Sequence, residues 1–361
     1  MAETTNSGSG PGSGSGDKIL LDVKDLRTHF YTDAGIARAV DGISFTIRAG
    51  ECVALVGESG CGKSVTSLTL MRLLPMPPAR IPTGEILLDG RNLLELPEHD
   101  MCAVRGKEIA MIFQEPQSAL NPVFTVGSQI AEAYVTHFPK TSQKDAWART
   151  LEAMKQVGIP DPQRRALDYP HQLSGGMKQR ICIAMALICD PKVLIADEPS
   201  TALDVTIQAQ ILDVLRKLQQ ERRLSLLLIT HDLGVVAEMA ERTFVMYAGK
   251  IIEQAATREI FSAPLHPYTQ GLLRARPEPG SSQRGRNKLA VIPGIVPAAT
   301  LFKDDCRFRT RCPLAADICA KEPPLVPHIP GNEHHRAACH FAGQDAWAKA
   351  NAAEALARKS T

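Results

Sequence analysis

Long apolar runs, an excess of charge of one sign and a leader-like start are all missing from this sequence. Each absence excludes a class. No stretch reaches the roughly 18 apolar residues that a membrane-crossing helix needs. The longest, ICIAMALIC at 181–189, is half that and reads as a buried helix. Against 41 Lys and Arg stand 39 Asp and Glu, a net charge of +2 at pH 7. Nucleic-acid binders usually leave a basic footprint, so no nucleic-acid partner is expected. No heptad run of the kind that builds a long coiled coil is present. The first residues, MAETTNSGSGPGSGSG, lack a charged-then-apolar leader. Residues 1–17 read instead as a disordered Gly/Ser-rich segment. The expected address is the cytoplasm, where thiols stay reduced and clustered cysteines serve metal binding sooner than disulfides.

What is present is the composition of a folded protein, 44% hydrophobic and 22% charged over 361 residues. That length holds one large domain with an appendage, or two modest ones. CVALVGESGCGKSVTSLTLMRLL, from Cys52, reads as a short apolar strand, a glycine-rich turn and a helix starting near Lys63. The spacing Gly57-x4-Gly62-Lys63-Ser64 is the Walker A pattern. Such a loop, here Gly57, Glu58, Ser59, Gly60, Cys61, Gly62, Lys63, Ser64 and Val65, points backbone N–H groups at phosphates, and the helix adds its positive end. Lys63 can reach the β- and γ-phosphates of ATP, and the Ser64 hydroxyl can ligate Mg²⁺. Cys61 stands where serine is commoner, and its small side chain leaves the backbone cradle intact. Downstream, KVLIADEP at 192–199 is a continuous apolar strand, as in a buried parallel sheet. It ends in two carboxylates. Asp197 suits Mg²⁺ held through water, and Glu198 suits the base that polarises an attacking water. Two surface acids at a strand end would be unremarked alone, but here a phosphate loop precedes them.

Between these motifs lies YPHQLSGGMKQRICIAMAL, whose LSGGMKQ at 173–179 resembles the ABC signature. From about residue 20 to 340 the chain is similar to the ATP-binding subunits of ABC transporters, and more narrowly to those of dipeptide and oligopeptide importers. That resemblance implies an α/β P-loop NTPase fold: a RecA-like core, an antiparallel β subdomain and a helical subdomain at about 115–175. The ATPase domain would span 18–262, a C-terminal extension 263–345 and an Ala-rich tail 346–361.

Ser174 is a good helix N-cap beside Gly175 and Gly176, and its helix is expected to run to Asp190, before Pro191. One chain can hardly use two anion sites on one nucleotide. The family's head-to-tail dimer would set Ser174 against the partner's γ-phosphate. Other positions match one by one. Gln114, in MIFQEPQSALNPVFTVGSQI, resembles the Q-loop glutamine, on Mg²⁺ and facing the transmembrane subunit. Asp204 resembles the D-loop aspartate and His231 the switch histidine that contacts the γ-phosphate. Phe30 matches the ring that stacks on adenine, although Tyr31 is adjacent. The implied activity is ATP hydrolysis that drives import at the cytoplasmic face of the inner membrane. The implied partners are a second, different ATPase chain, two permease subunits and, indirectly, an extracytoplasmic solute-binding protein. Metal chelates or haem are alternative cargoes. A soluble ABC-type ATPase acting on nucleic acid or ribosomes is the rival class, but its long coiled-coil insertions and second cassette are missing.

Beyond about residue 262 the composition turns Pro/Gly-rich. Four cysteines then follow as Cys306-x5-Cys312-x6-Cys319-x19-Cys339. A segment this poor in apolar residues gains from a staple. Structural zinc favours paired C-x2-4-C knuckles, which are missing. Wider gaps suit a [4Fe–4S] cluster better, with zinc the alternative, and the resemblance points the same way. His334, His335 and His340 are possible alternative ligands, but read as surface residues or as residues placed behind the ligands. Cys52, Cys61, Cys102, Cys182 and Cys189 read as core.

Overall fold

The structure is a computed structural model that describes residues 18–115, 119–200, 204–275 and 291–348. The Gly/Ser-rich segment 1–17, the Pro/Gly-rich stretch 276–290 and most of the Ala-rich tail lie outside the described residues.

Among the described residues the chain builds two sheets. The larger has eight strands, ordered Val326–Pro327, Arg336–Ala337, Lys250–Ala256, Arg242–Tyr247, Cys52–Val56, Ser225–Thr230, Val193–Asp197 and Ile109–Ile112. The strands from Arg242–Tyr247 to Ile109–Ile112 pair in parallel. CVALV, VLIAD and SLLLIT are buried at every residue, because a parallel sheet is covered on both faces and its strands need apolar side chains on both. The smaller sheet is antiparallel and rests on the long pair Ile19–Thr32 and Gly35–Arg48. Its alternating inward residues, among them Leu21, Val23, Ile43, Phe45 and Ile47, share a core with Val53, Leu55, Ile195 and Leu227 of the larger sheet.

Helices Val126–His137, Gln143–Gln156, Gly175–Leu187 and Val205–Arg222 supply apolar side chains to a second core with the other sheet face. Thr125, Ser142, Ser174 and Asp204 each cap the helix that follows by accepting a backbone N–H bond. The Ser174 helix ends at Leu187, one turn short of the expected Asp190. Asp190 takes a left-handed φ of 53°, which stops the helix before Pro191 can clash with it.

The described residues after 262 pack onto the rest of the chain. Arg336–Ala337 pairs with the edge of the large sheet, and Val326–Pro327 pairs with it in turn. Phe308, Ile292 and Trp347 share a core with Tyr247 and Tyr268. The start of the Ala-rich stretch is thus anchored, and the Trp347 indole donates to Pro267 O at 2.9 Å. His335 is no surface residue. It is 1% exposed and its Nε2 lies 2.8 Å from the buried Glu253 carboxylate, which also accepts from the Leu265 and His266 amides at 2.7 and 2.9 Å. Cys102 is exposed rather than in the core, because it sits on the outer face of a short helix, Glu98–Val104.

Fully buried His266 accepts at Nδ1 from the Tyr268 amide, 3.0 Å away, a role open only to the neutral ring. Burial pushes its pKa down from 6.5 to about 4, with nearby Glu253 opposing. Between those values the unfolded chain binds a proton that the folded chain does not. Stability should therefore fall on acidification from about pH 6.5 towards pH 4, by up to about 1.4 kcal/mol per pH unit from this site. Urea unfolding of the parent and of His266→Gln at pH 7 and pH 5 checks this. The variant should lose less than the parent on acidification, and equal losses would exclude the effect.

Candidate active site

The strand Cys52–Val56 runs straight into the glycine-rich loop, and the helix Lys63–Leu70 leaves it. Two glycines make this turn possible. A Cβ on Gly57 would sit 2.2 Å from Met246 O and 2.8 Å from Cys61 Sγ. One on Gly62, whose φ is 112°, would sit 2.4 Å from Ala39 O. Neither backbone neighbour can yield, so the loop closes only without side chains there. Lys63 is buried, and its ammonium donates to Gly57 O at 2.9 Å and Glu58 O at 3.1 Å. Those are carbonyls of the loop itself, which a bound anion can replace. Burial pushes the Cys61 thiol up, with Lys63 opposing, so it stays a neutral filler.

Asp197 closes the far side. Its Oδ1 accepts from Ser64 Oγ at 3.3 Å and its Oδ2 from Ser67 Oγ at 2.9 Å. Burial pushes this carboxyl above the usual carboxylate range, and the two serines pull it back. No motif singles out Ser67, although it lies one helical turn after Ser64 and so on the same face.

Glu198 follows with a φ of 47°, and its amide donates to Ile229 O at 2.8 Å. A left-handed backbone is uncommon for a long side chain and marks a conformation held by its surroundings. It turns the carboxylate to where Gln114 Nε2 donates to Oε2 at 3.1 Å and His231 Nδ1 stands 3.4 Å from Oε1. Gln114, Glu198 and His231 each follow the end of a parallel strand, and those three strands are neighbours.

Ser174 stands exposed at the start of its own helix, accepting from the Met177 amide at 3.4 Å. Gly176 lets that helix approach the next, since a Cβ there would sit 2.6 Å from Ile207 Cγ2. Asp204 caps the helix Val205–Arg222, accepting from the Ile207 amide at 3.0 Å. The signature helix reaches the carboxylate strand through Gln179, whose Nε2 donates to Pro199 O at 2.6 Å, a link that no spacing announces. Phe30 is half-buried, while Tyr31 points to the opposite face of its strand and carries Arg80 4.6 Å over its ring.

The four tail cysteines come together. Burial pushes the Cys339 thiol up to about 12 and the Cys306 thiol up to about 11. Neighbouring thiolate charge adds to both, from Cys306, Cys312 and Cys319 at Cys339 and from Cys319 and Cys312 at Cys306. The Phe341 amide donates to Cys339 Sγ at 3.3 Å, and the Cys306 amide donates to Cys319 O at 3.1 Å. Among the described residues, however, no three His, Cys, Asp or Glu side chains close around a single ion.

A family model described as "ABC transporter" matches residues 40–201, and one described as "Oligopeptide/dipeptide transporter, C-terminal region" matches 252–319. The oligopeptide transport ATP-binding protein AppD of Bacillus subtilis is 48% identical, over 86% of this chain and 94% of its own length. The dipeptide transport ATP-binding protein DppD of Haemophilus influenzae is 49% identical, over 86% of this chain and 92% of its own. Among solved structures, the ATP-binding cassette MJ0796 bound to ADP and Pi in a dimeric, post-hydrolysis state aligns with a TM-score of 0.60 at 27% identity. That alignment covers 66% of this chain and 99% of the cassette.

The crowding at Gly57 has a measurable consequence. Gly57→Ala should deform the loop and weaken MgATP binding at least about tenfold, the equivalent of about 1.4 kcal/mol, while the sheet stays folded. Equilibrium dialysis with circular dichroism as the folding control measures both, and unchanged affinity would refute the close-approach account.

Proposed function

The chain belongs to the family of ATP-binding subunits of oligopeptide and dipeptide ABC transporters, and from that premise we propose how its residues divide the work. The protein is an ATPase, and its reaction is ATP plus water to ADP plus phosphate, coupled to solute import. One observation carries the assignment of roles: Lys63, Ser64, Asp197, Glu198, Gln114 and His231 meet where adjacent parallel strands end. Lys63 exchanges its loop carbonyls for the β- and γ-phosphates, while amides of the 57–65 loop, apart from that of Glu58 which Tyr268 takes, wrap them. Ser64, Asp197 and Gln114 are the residues suited to hold Mg²⁺, which supplies charge neutralisation at the phosphates when bound. Glu198 orients the attacking water, and Gln114 and His231 hold its carboxylate in place. Phe30 stacks on adenine.

Ser174, Gly175 and Gly176, exposed at a helix start, face the nucleotide of a second ATPase subunit, with Asp204 beside that interface. An apolar groove of about 300 Å³, lined by Met71, Leu73, Phe113, Ala133 and Met185, lies next to Gln114 and suits a permease segment. Among the described residues no helix is long and apolar enough to cross a membrane. Family membership supports placement on the cytoplasmic face beside two permease subunits and, across the membrane, a solute-binding protein. The cargo is a dipeptide or oligopeptide. In domain terms, 18–262 is the ATPase unit, with its helical part at about 115–175, and 263–345 the importer-type extension.

Cys306, Cys312, Cys319 and Cys339 are proposed to hold a [4Fe–4S] cluster. Their mutual proximity and the amide bond to Cys339 Sγ support that reading.

Glu198→Gln, assayed in the assembled complex, should abolish hydrolysis and leave ATP binding intact. Near-normal turnover would refute the role given to Glu198. Protein purified without oxygen should be brown and carry about four irons and four sulfides per chain, and each of the four cysteines should be required. Colourless, iron-free protein would reject the cluster.

A further inference from the structure

Glu58, inside the phosphate loop, is held on three sides. Its carbonyl takes the Lys63 ammonium at 3.1 Å, a contact within the loop. Its amide donates to the Tyr268 hydroxyl at 2.8 Å, and its carboxylate accepts from Arg311 Nη1 at 2.9 Å. These two partners are 210 and 253 residues away, in the C-terminal extension. Neither is a loose surface contact. The Tyr268 ring is fully buried and packs 4.7 Å from Tyr247 and 5.5 Å from Phe308 between centres. Arg311 is 5% exposed. Its Nε donates to Pro293 O at 2.9 Å, and its Nη1 also lies 3.5 Å from the Tyr247 hydroxyl. The guanidinium is therefore fixed by the extension before it reaches Glu58.

A carboxylate in a loop built to receive a polyanion works against its own ligand, since like charges in one site repel. Arg311 cancels that charge and, with Tyr268, fixes Glu58 within the loop. We propose that Arg311 is a positioning residue of the ATP site. It acts through Glu58, with Tyr268 holding the same residue's amide, so the C-terminal extension is a working part of the phosphate loop. The inference rests on the reading of residues 57–65 as that loop.

The test measures MgATP affinity of the full chain by equilibrium titration and KM and kcat in the assembled complex. Arg311→Ala should weaken affinity about tenfold at low ionic strength, about 1.4 kcal/mol. KM should rise with it while kcat stays within about twofold, because Arg311 does not touch the attacking water. The loss should shrink as salt screens the partly exposed carboxylate, and Arg311→Lys should recover part of it. Removing the uncompensated charge should do the same: Arg311→Ala with Glu58→Gln should bind MgATP more tightly than Arg311→Ala alone. A merely structural collapse of the extension would show no such rescue. Unchanged affinity in Arg311→Ala, or a double variant no tighter than the single, would overturn the proposal. Lys63→Ala serves as the separate control: undiminished affinity in that variant would reject the phosphate-loop reading itself.

Discussion

Three strands, Cys52–Val56, Ser225–Thr230 and Val193–Asp197, run in parallel and in step, with Val56 opposite Thr230 and Asp197 opposite Ile229. Parallel pairing makes the chain leave the sheet at the same edge each time, the edge where ligands of open α/β sheets bind. From that edge come the glycine-rich loop, the Asp197–Glu198 carboxylates and His231. The loop can close on Lys63 only because Gly57 and Gly62 leave room for Met246 O and Ala39 O. Glu198 can turn toward Gln114 and His231 only because its left-handed backbone is pinned to Ile229. Every polar contact at the site presupposes the register of the ladder.

The second dependence is how the C-terminal extension manages buried charge. It has too little apolar surface for an independent core, so it borrows the large sheet's edge. Polar groups taken out of water need partners, and the extension's partners lie mostly in the ATPase core. Glu253 gathers two backbone amides and His335, and Arg307 is paired with Asp41. Arg311 meets Glu58. Arg307 and Arg311 both lie in the CRFRTRC segment, between Cys306 and Cys312. The cysteine-bearing loop is thus tied to the phosphate loop by the Arg311–Glu58 pair and to the strand Gly35–Arg48 by the Arg307–Asp41 pair, not by apolar packing alone.

Much of the ATP site is legible in the sequence because its chemistry is local. A Walker A loop needs glycines, lysine and serine at fixed offsets, and the alternation from apolar strand to helix is visible without partners. The carboxylate pair announces itself by following a fully apolar strand, and Ser174 by the small residues around it. Local composition leaves His335 open between the surface and a place behind the cysteines, whereas it is buried on Glu253, and misplaces Cys102, which reads as core and is exposed. The residues around a position do not state which face of the fold it meets. The apolar pattern also carries the signature helix a turn too far, because it continues to residue 189 whereas the helix ends at Leu187, ahead of the left-handed Asp190.

Sequence by itself determined the kind of protein this is: the phosphate loop, the paired acids, the signature and the four tail cysteines follow from residue type and spacing within short windows. Tertiary structure alone decided which distant groups meet. Ser67 on Asp197, Gln179 on Pro199 and Arg311 on Glu58 are contacts between segments whose separation runs from 20 to 253 residues. Their physical reason is packing, since a side chain's partner depends on which surfaces the sheet register and helix faces bring within about 3 Å, and no local pattern encodes that.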